Sequence, residues 1–278
     1  MQQIVGEKCE PKERLMITNE VIRTLLDHRS IRRYADETPS DEVTQSVVRA
    51  GQQAPFASQL YSVLLSRDKE EHPFGAPLLF TICVDAHRLE LFMAERGWEV
   101  VTNDLSILLF GIQDASLMAE NMIVAGRSLG LGSCLLGGAP YEADRIAEAY
   151  DLPQRVFPLV QLAMGYPAED PPPRPRYPLG FTLFENRYPD LTRDVVREAM
   201  KVMDDGYLAQ GYYRDGNLMI SLSDGREETF TFDDYSWTEH ISRKWGQWHP
   251  DPGELLEQLA KRGFHVTGSS KTPTENAG

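Results

Sequence analysis

Cysteine is scarce in this 278-residue chain: Cys9, Cys83 and Cys134 are odd in number and widely spaced. That pattern excludes a disulfide framework and a CxxC metal site. Cys83 and Cys134 fall inside apolar runs and read as core thiols, which suits a reducing, cytoplasmic setting. Positive charge is also in short supply. Against 42 Asp and Glu stand 28 Lys and Arg, a net charge of −14, which argues against nucleic acid or an anionic membrane as partner. No uninterrupted apolar run approaches the ~18 residues of a membrane span. The opening MQQIVGEKCEPKERL is too polar for a signal peptide. Residues 1–17 read as a disordered extension, with Met16 a second candidate for the start of translation. His240, His249 and His265 lack metal-ligand spacing, and the chain has neither a GxGxxG nor a Walker pattern.

What is present centres on residues 111–138, GIQDASLMAENMIVAGRSLGLGSCLLGG. With the preceding LSILLF, the first part predicts one helix of about 25 residues and ~37 Å, apolar on nearly every face and so buried in a core or a subunit interface. It should stop near Gly130 or Gly132. A short buried strand, residues 133–136, then leads to Gly137 and Gly138, a pair that exposes bare backbone to a flat ligand. Asp114 and Glu120 lie six apart on this helix, on different faces, and read as solvent-facing or as caps of a buried network rather than as an acid–base pair.

Upstream, Thr18 can cap a helix over residues 19–27, and Ser40 caps another. Residues 60–66, 77–85 and 156–167 read as strands, the last two covered on both faces. Helices follow at 87–96 and 141–150. Strands and helices alternating in this way predict an α+β fold, a mixed sheet with helices packed on it. From residue 190 the chain turns more polar: helices at 194–207, 237–245 and after Pro252, with a hairpin at residues 217–232. Residues 268–278 read as a disordered tail.

Two basic stretches stand out against the acidic background. HRSIRRY places His28, Arg29, Ser30, Arg32 and Arg33 at a helix end, where they can hold a phosphate or form a solvated turn. In PRPRYPL, Arg174 and Arg176 alternate in a rigid extended run, so both can project to one side.

HRSIRRY, APFASQ ahead of a strand, DASLMAENMIVAGRSLGLGSCLLGG, LVQLAMGYP and PRPRYPL, in this order and spacing, resemble the FMN-dependent nitroreductase family over residues 18–190. FENRYPD and GYLAQGY are similar to its oxygen-insensitive NADPH nitroreductase and FMN reductase subgroup, with residues 191–267 as a C-terminal excursion. The resemblance implies a three-layer sandwich and an intertwined homodimer, with the long helix at the dimer core and an FMN site at each interface. By similarity, His28, Arg29, Ser30 and Ile31 with Arg174 and Arg176 would hold the phosphate and ribityl end. Arg32 would lie near N1 and O2 of the flavin, where a cation stabilises developing negative charge. Pro55, Phe56 and Gln59 would line the ring from the other subunit. Leu135, Leu136, Gly137 and Gly138 would run along the ring.

The implied activity is ping-pong transfer of hydride from NADPH or NADH through the flavin to a nitroaromatic, a quinone or free flavin, with no protein acid or nucleophile. A slow or non-catalytic flavin-binding sensor or carrier is the alternative. Departures from the family pattern motivate it: APFA replaces a serine-rich loop, and the loop after Arg67 is short, without an obvious flavin-contacting side chain. Gln210 stands where the subgroup has an arginine for the NADPH 2′-phosphate, with Arg214 nearby, and an arginine is missing around His249. Nicotinamide preference is therefore open.

Overall fold

The computed structural model describes residues 18–223, 225–247 and 251–266. The expectations for residues 1–17 and 268–278, and for Cys9 and His249, lie outside the described residues.

Helix α1 (Glu20–Leu26) is capped by Asn19, whose side chain accepts from the Ile22 N–H; the cap is thus one residue later than Thr18. Helix α2 (Asp41–Gln52) starts at Ser40 as expected, with its hydroxyl on the Val43 N–H. Strand β1 (Tyr61–Ser66) follows, then β2 (Leu78–Asp85), buried along its whole length, and α3 (His87–Glu95). The central helix α4 (Asp104–Ser128) is 25 residues long, about 37 Å at the α-helical rise. Asn103 caps its start, and Gly130, at φ +82°, takes the left-handed turn that ends it. By length and apolar composition α4 could cross a membrane, but half of its most apolar stretch is buried inside the protein. Strand β3 (Gly132–Leu136), α5 (Ala143–Ala149) and β4 (Val156–Gly165) complete the core.

The sheet order is β1-β2-β4-β3, and every neighbouring pair is antiparallel. This corrects the expected mixed sheet. β2 and β3 do run in the same direction through the α4 crossover, but β4 inserts between them and turns both contacts antiparallel. Val47 of α2, Met118 and Met122 of α4, and Phe80, Ile82 and Leu162 of the sheet form the main core. β3 is an edge strand, so the expected burial of residues 133–136 holds only for its first part; Leu135 is 51% exposed.

The C-terminal excursion contains α6 (Arg193–Ala209), α7 (Tyr212–Asp215), α8 (Trp237–Gln247) and α9 (Pro252–Lys261). Its centre is aromatic: Tyr207, Tyr213 and Tyr235 are buried together with Met203. The expected hairpin at 217–232 does not form among the described residues. Side chains take its backbone groups instead of a partner strand. The Ile220 N–H donates to Tyr235 Oη (3.1 Å), Arg243 Nη1 to Ile220 O (2.8 Å) and Gln247 Nε2 to Ser221 O (3.1 Å). Once those groups are satisfied, strand pairing gains little.

Candidate functional site

The chain leaving α1 is drawn against the edge of the sheet. Ser30 forms a parallel bridge with Ser133, and the Ile31 N–H donates to Ser133 O at 2.8 Å. Ile31 is 1% exposed and presses on Gly132, where a Cβ would sit 2.4 Å from Ile31 Cγ1. Only glycine fits there. With Ile31 turned inward, Arg32 is left exposed beside the strand. The exit of β4 runs alongside: Tyr34 bridges Pro167, the Ala35 N–H donates to Tyr166 O and the Ala168 N–H to Arg33 O.

Carboxylates staple these two segments. Glu169 Oε1 accepts the backbone N–H groups of Arg32 and Arg33, and Oε2 accepts from Arg33 Nε at 3.1 Å. Burial alone would raise Glu169, but those hydrogen bonds outweigh it and hold the carboxyl below the usual range. Arg29 donates through Nη1 to Asp170 (2.7 Å) and Pro171 O (3.1 Å), and through Nη2 to Asp27 (2.6 Å). Arg29 and Arg127 together hold the Asp27 carboxyl low. Arg29 is therefore partly neutralised within the chain, yet its Nε is buried and donates to nothing among the described residues. His28 and Ser30 are half-buried beside it.

Arg32 has no carboxylate within ion-pair distance among the described residues; its guanidinium carbon lies 6.0 Å from the centre of the Phe74 ring. Phe74 is half-exposed at φ +62°, a left-handed conformation costly for a bulky residue. Buried His72 braces that turn, with Nδ1 on Ala76 O and Nε2 on Ser66 Oγ, both at 2.7 Å. Cys134 lies within reach of Arg32 and Ser30, and burial raises its thiol. Cys83, in the core, is pushed up to about 12 by burial. Both thiols are buried and free, as expected.

Beyond exposed Leu135 and half-buried Leu136, Gly137 and Gly138 face open space: an added Cβ at either meets no atom within 4 Å. Neither has a positive φ, so the turn itself does not demand glycine.

The proline-rich run continues from Pro171. Two residues, three Cα–Cα steps spanning at most about 11 Å of chain, separate Arg174 from Pro171, whose carbonyl Arg29 holds. Arg174 Nη1 donates to Gln210 Oε1 (2.8 Å), and its guanidinium stacks on Tyr212, 4.0 Å from the ring centre. Arg176 Nη1 folds back onto the carbonyls of Arg174 and Pro175. The two arginines are thus engaged separately, unlike the common projection that strict alternation predicted.

Pro55, Phe56 and Gln59 belong elsewhere in the single chain. They sit exposed on the loop before β1, and β1 and β3 are opposite edges of the sheet, about 14 Å apart at the usual strand spacing. One chain does not bring this loop to the basic rim. Asp114 fixes the loop: its buried carboxylate accepts from the N–H groups of Ala57 (2.6 Å), Ser58 (3.0 Å) and Leu60 (3.0 Å). Of the two roles open to Asp114, the structure selects the buried cap; Glu120 is exposed. An acid among apolar helix positions was the available signal for Asp114. Phe74, Glu169 and Tyr212 carried no comparable signal.

Fold and rim together define an α+β protein with a basic, glycine-bared edge on its sheet, suited to a flat ligand with an anionic end. The sequence matches the nitroreductase family over residues 64–166. It is 31% identical over 229 residues to an FMN reductase (NADPH) of Bacillus subtilis, covering 77% of this chain and 89% of that protein. It is 33% identical over 178 residues to a Cr(VI) reductase of a Pseudomonas species, covering 59% of this chain and 73% of that one. Among solved structures, NfrA2 of B. megaterium superposes with a TM-score of 0.74 at 28% identity, over 89% of this chain and 99% of the other. The chain belongs to the nitroreductase family.

Proposed function

We propose that this protein is a cytoplasmic, homodimeric, FMN-dependent NAD(P)H oxidoreductase whose acceptors are nitroaromatics, quinones or free flavin. The observation that carries the reading is the joining of the 28–34 and 166–171 segments at Ser133, on the edge strand β3 that leads to Gly137 and Gly138. FMN fits what this rim offers. Arg174 and Arg176 face no carboxylate among the described residues, and the buried Arg29 Nε lacks an acceptor. The glycine pair leaves its backbone bare.

FMN, when bound, would supply the hydride chemistry between NAD(P)H and the acceptor. The chain's residues do the binding and tuning. Arg29, Ser30, Arg174 and Arg176 would hold the phosphate end with charge-assisted hydrogen bonds. Arg32, without a carboxylate partner, keeps a positive charge where negative charge develops. Leu135 and Leu136 would exclude water along one edge, and His28 would frame the other. Ile31, packed inward on Gly132, serves by tying this segment to β3 through its N–H.

A dimer completes the site. Leu105, Leu109, Phe110, Ile112 and Leu117 leave the outer face of α4 apolar and exposed in the single chain, a patch suited to a second copy. The 55–59 loop, on the opposite sheet edge from the rim, can then serve the partner's site. The test is the absorbance spectrum of the purified protein and the rate at which NADPH and NADH bleach it, followed by turnover with a nitrofuran, a quinone and FMN. A protein that takes up no FMN ends the reading. Full flavin with negligible turnover would favour a sensor or carrier.

A further inference from the structure

We infer that Gln210 and Tyr212 are positioning residues for the cofactor's phosphate, acting through Arg174; this rests on the FMN reading above. Gln210 is the C-cap of α6, so its side chain leaves the negative end of a helix. It grips the proline run twice: Oε1 accepts from Arg174 Nη1, and Nε2 donates to Pro173 O, each at 2.8 Å. Tyr212 covers one face of the guanidinium at 4.0 Å from its ring centre. Its own ring is set edge-on against Tyr207 (5.5 Å) and Tyr213 (5.0 Å), both part of the buried aromatic cluster. The contact between excursion and run is close. A Cβ on Gly206 would fall 2.6 Å from Pro175 Cγ.

The chemistry of the clamp matters more than its existence. In a chain of net charge −14, arginines that staple this fold face paired carboxylates: Arg155 meets Glu90 and Asp104, and Arg243 meets Glu228 and Glu239. Arg262 is buried, with Nε and Nη2 donating to backbone carbonyls. Arg174 differs from both kinds. An amide and an aromatic face restrain it without cancelling its charge, and it is only half-buried, so Nε and Nη2 remain to form a fork on a phosphate. A restrained, unneutralised guanidinium loses less freedom on meeting an anion than a free one.

Binding of FMN and riboflavin separates this role from a structural one, because riboflavin lacks only the phosphate. Flavin-stripped full-length protein is titrated with each, following flavin fluorescence, for Gln210→Leu, Gln210→Glu, Tyr212→Leu, Arg174→Ala and the Gln210→Leu/Arg174→Ala double variant. Gln210→Leu and Tyr212→Leu should weaken FMN about tenfold and leave riboflavin unchanged. Gln210→Glu keeps the shape and the bond from Arg174 but gives up the one to Pro173 O and neutralises the arginine, so it too should weaken FMN alone. In the Arg174→Ala background, Gln210→Leu should add nothing. Equal losses for both flavins, an unaffected Gln210→Glu, or an additive double variant overturns the clamp. If Arg174→Ala itself leaves the FMN-to-riboflavin ratio unchanged, the phosphate assignment falls first and takes the clamp with it.

Discussion

Replacing Asp114 by Asn tests how the loop before β1 is held. The carboxylate is 1% exposed. One oxygen takes the Ala57 N–H, and the other takes both Ser58 and Leu60. Asparagine has the same shape but only one accepting atom. Its better orientation keeps the oxygen on Ser58 and Leu60 and sets the amide NH2 against the Ala57 N–H. A hydrogen bond to a charged acceptor contributes about 1.5–3 kcal/mol net. Ala57 and Ser58 lie on the exposed loop and can turn to water, whereas the Leu60 N–H is buried. The loss is then about one charge-assisted bond plus the weakening of two others, about 2–4 kcal/mol. Urea unfolding should show a lower midpoint at unchanged slope. Amide exchange should accelerate at Ala57 and Ser58 while β2 and α4 stay protected. A variant with the wild-type midpoint and wild-type exchange at these amides would refute the assignment.

Replacing both Arg174 and Arg176 by Ala should weaken FMN by about 3–6 kcal/mol at the usual worth of charge-assisted bonds; flavin retained through dialysis contradicts it. Leu109→Glu, on the exposed face of α4, would bury an unpaired carboxylate in the proposed dimer, at about 3–5 kcal/mol. Sedimentation velocity should show monomer, and an unchanged dimer would remove α4 from the interface. The excursion should loosen in acid. Arg243 holds the Glu228 carboxyl down at about 2, below the ~4.3 of a free glutamate. A depressed carboxylate stabilises the folded state above the free value and loses that contribution as pH falls toward the folded one. Tryptophan fluorescence should therefore change between about pH 4 and 2, and Glu228→Gln should remove that transition.

Much of the core was legible because it is local. Ser40 and Gly130 act as the helix boundaries their chemistry predicts, with Gly130 at φ +82°. The buried run of β2 and the length of α4 follow from apolar patterning alone. The hairpin was misread because NLMISL and ETFTF have strand composition, whereas their partners, Tyr235, Arg243 and Gln247, are supplied by residues further along the chain. The sheet was misread for a related reason: periodicity marks strands but not the insertion of β4 between β2 and β3.

The same division runs through the site. Residue type alone determined that HRSIRRY and PRPRYPL are cationic islands in an acidic chain and that a bare glycine pair follows β3, since charge and the absence of a Cβ belong to single residues. Which arginines keep their charge was decided only by folding. Arg29 is partly spent on Asp27 and Asp170, and Arg174 is restrained by the neutral Gln210 and Tyr212. The reason is range: an ion pair depends on a few ångströms across segments up to 141 residues apart, a proximity that no local pattern encodes.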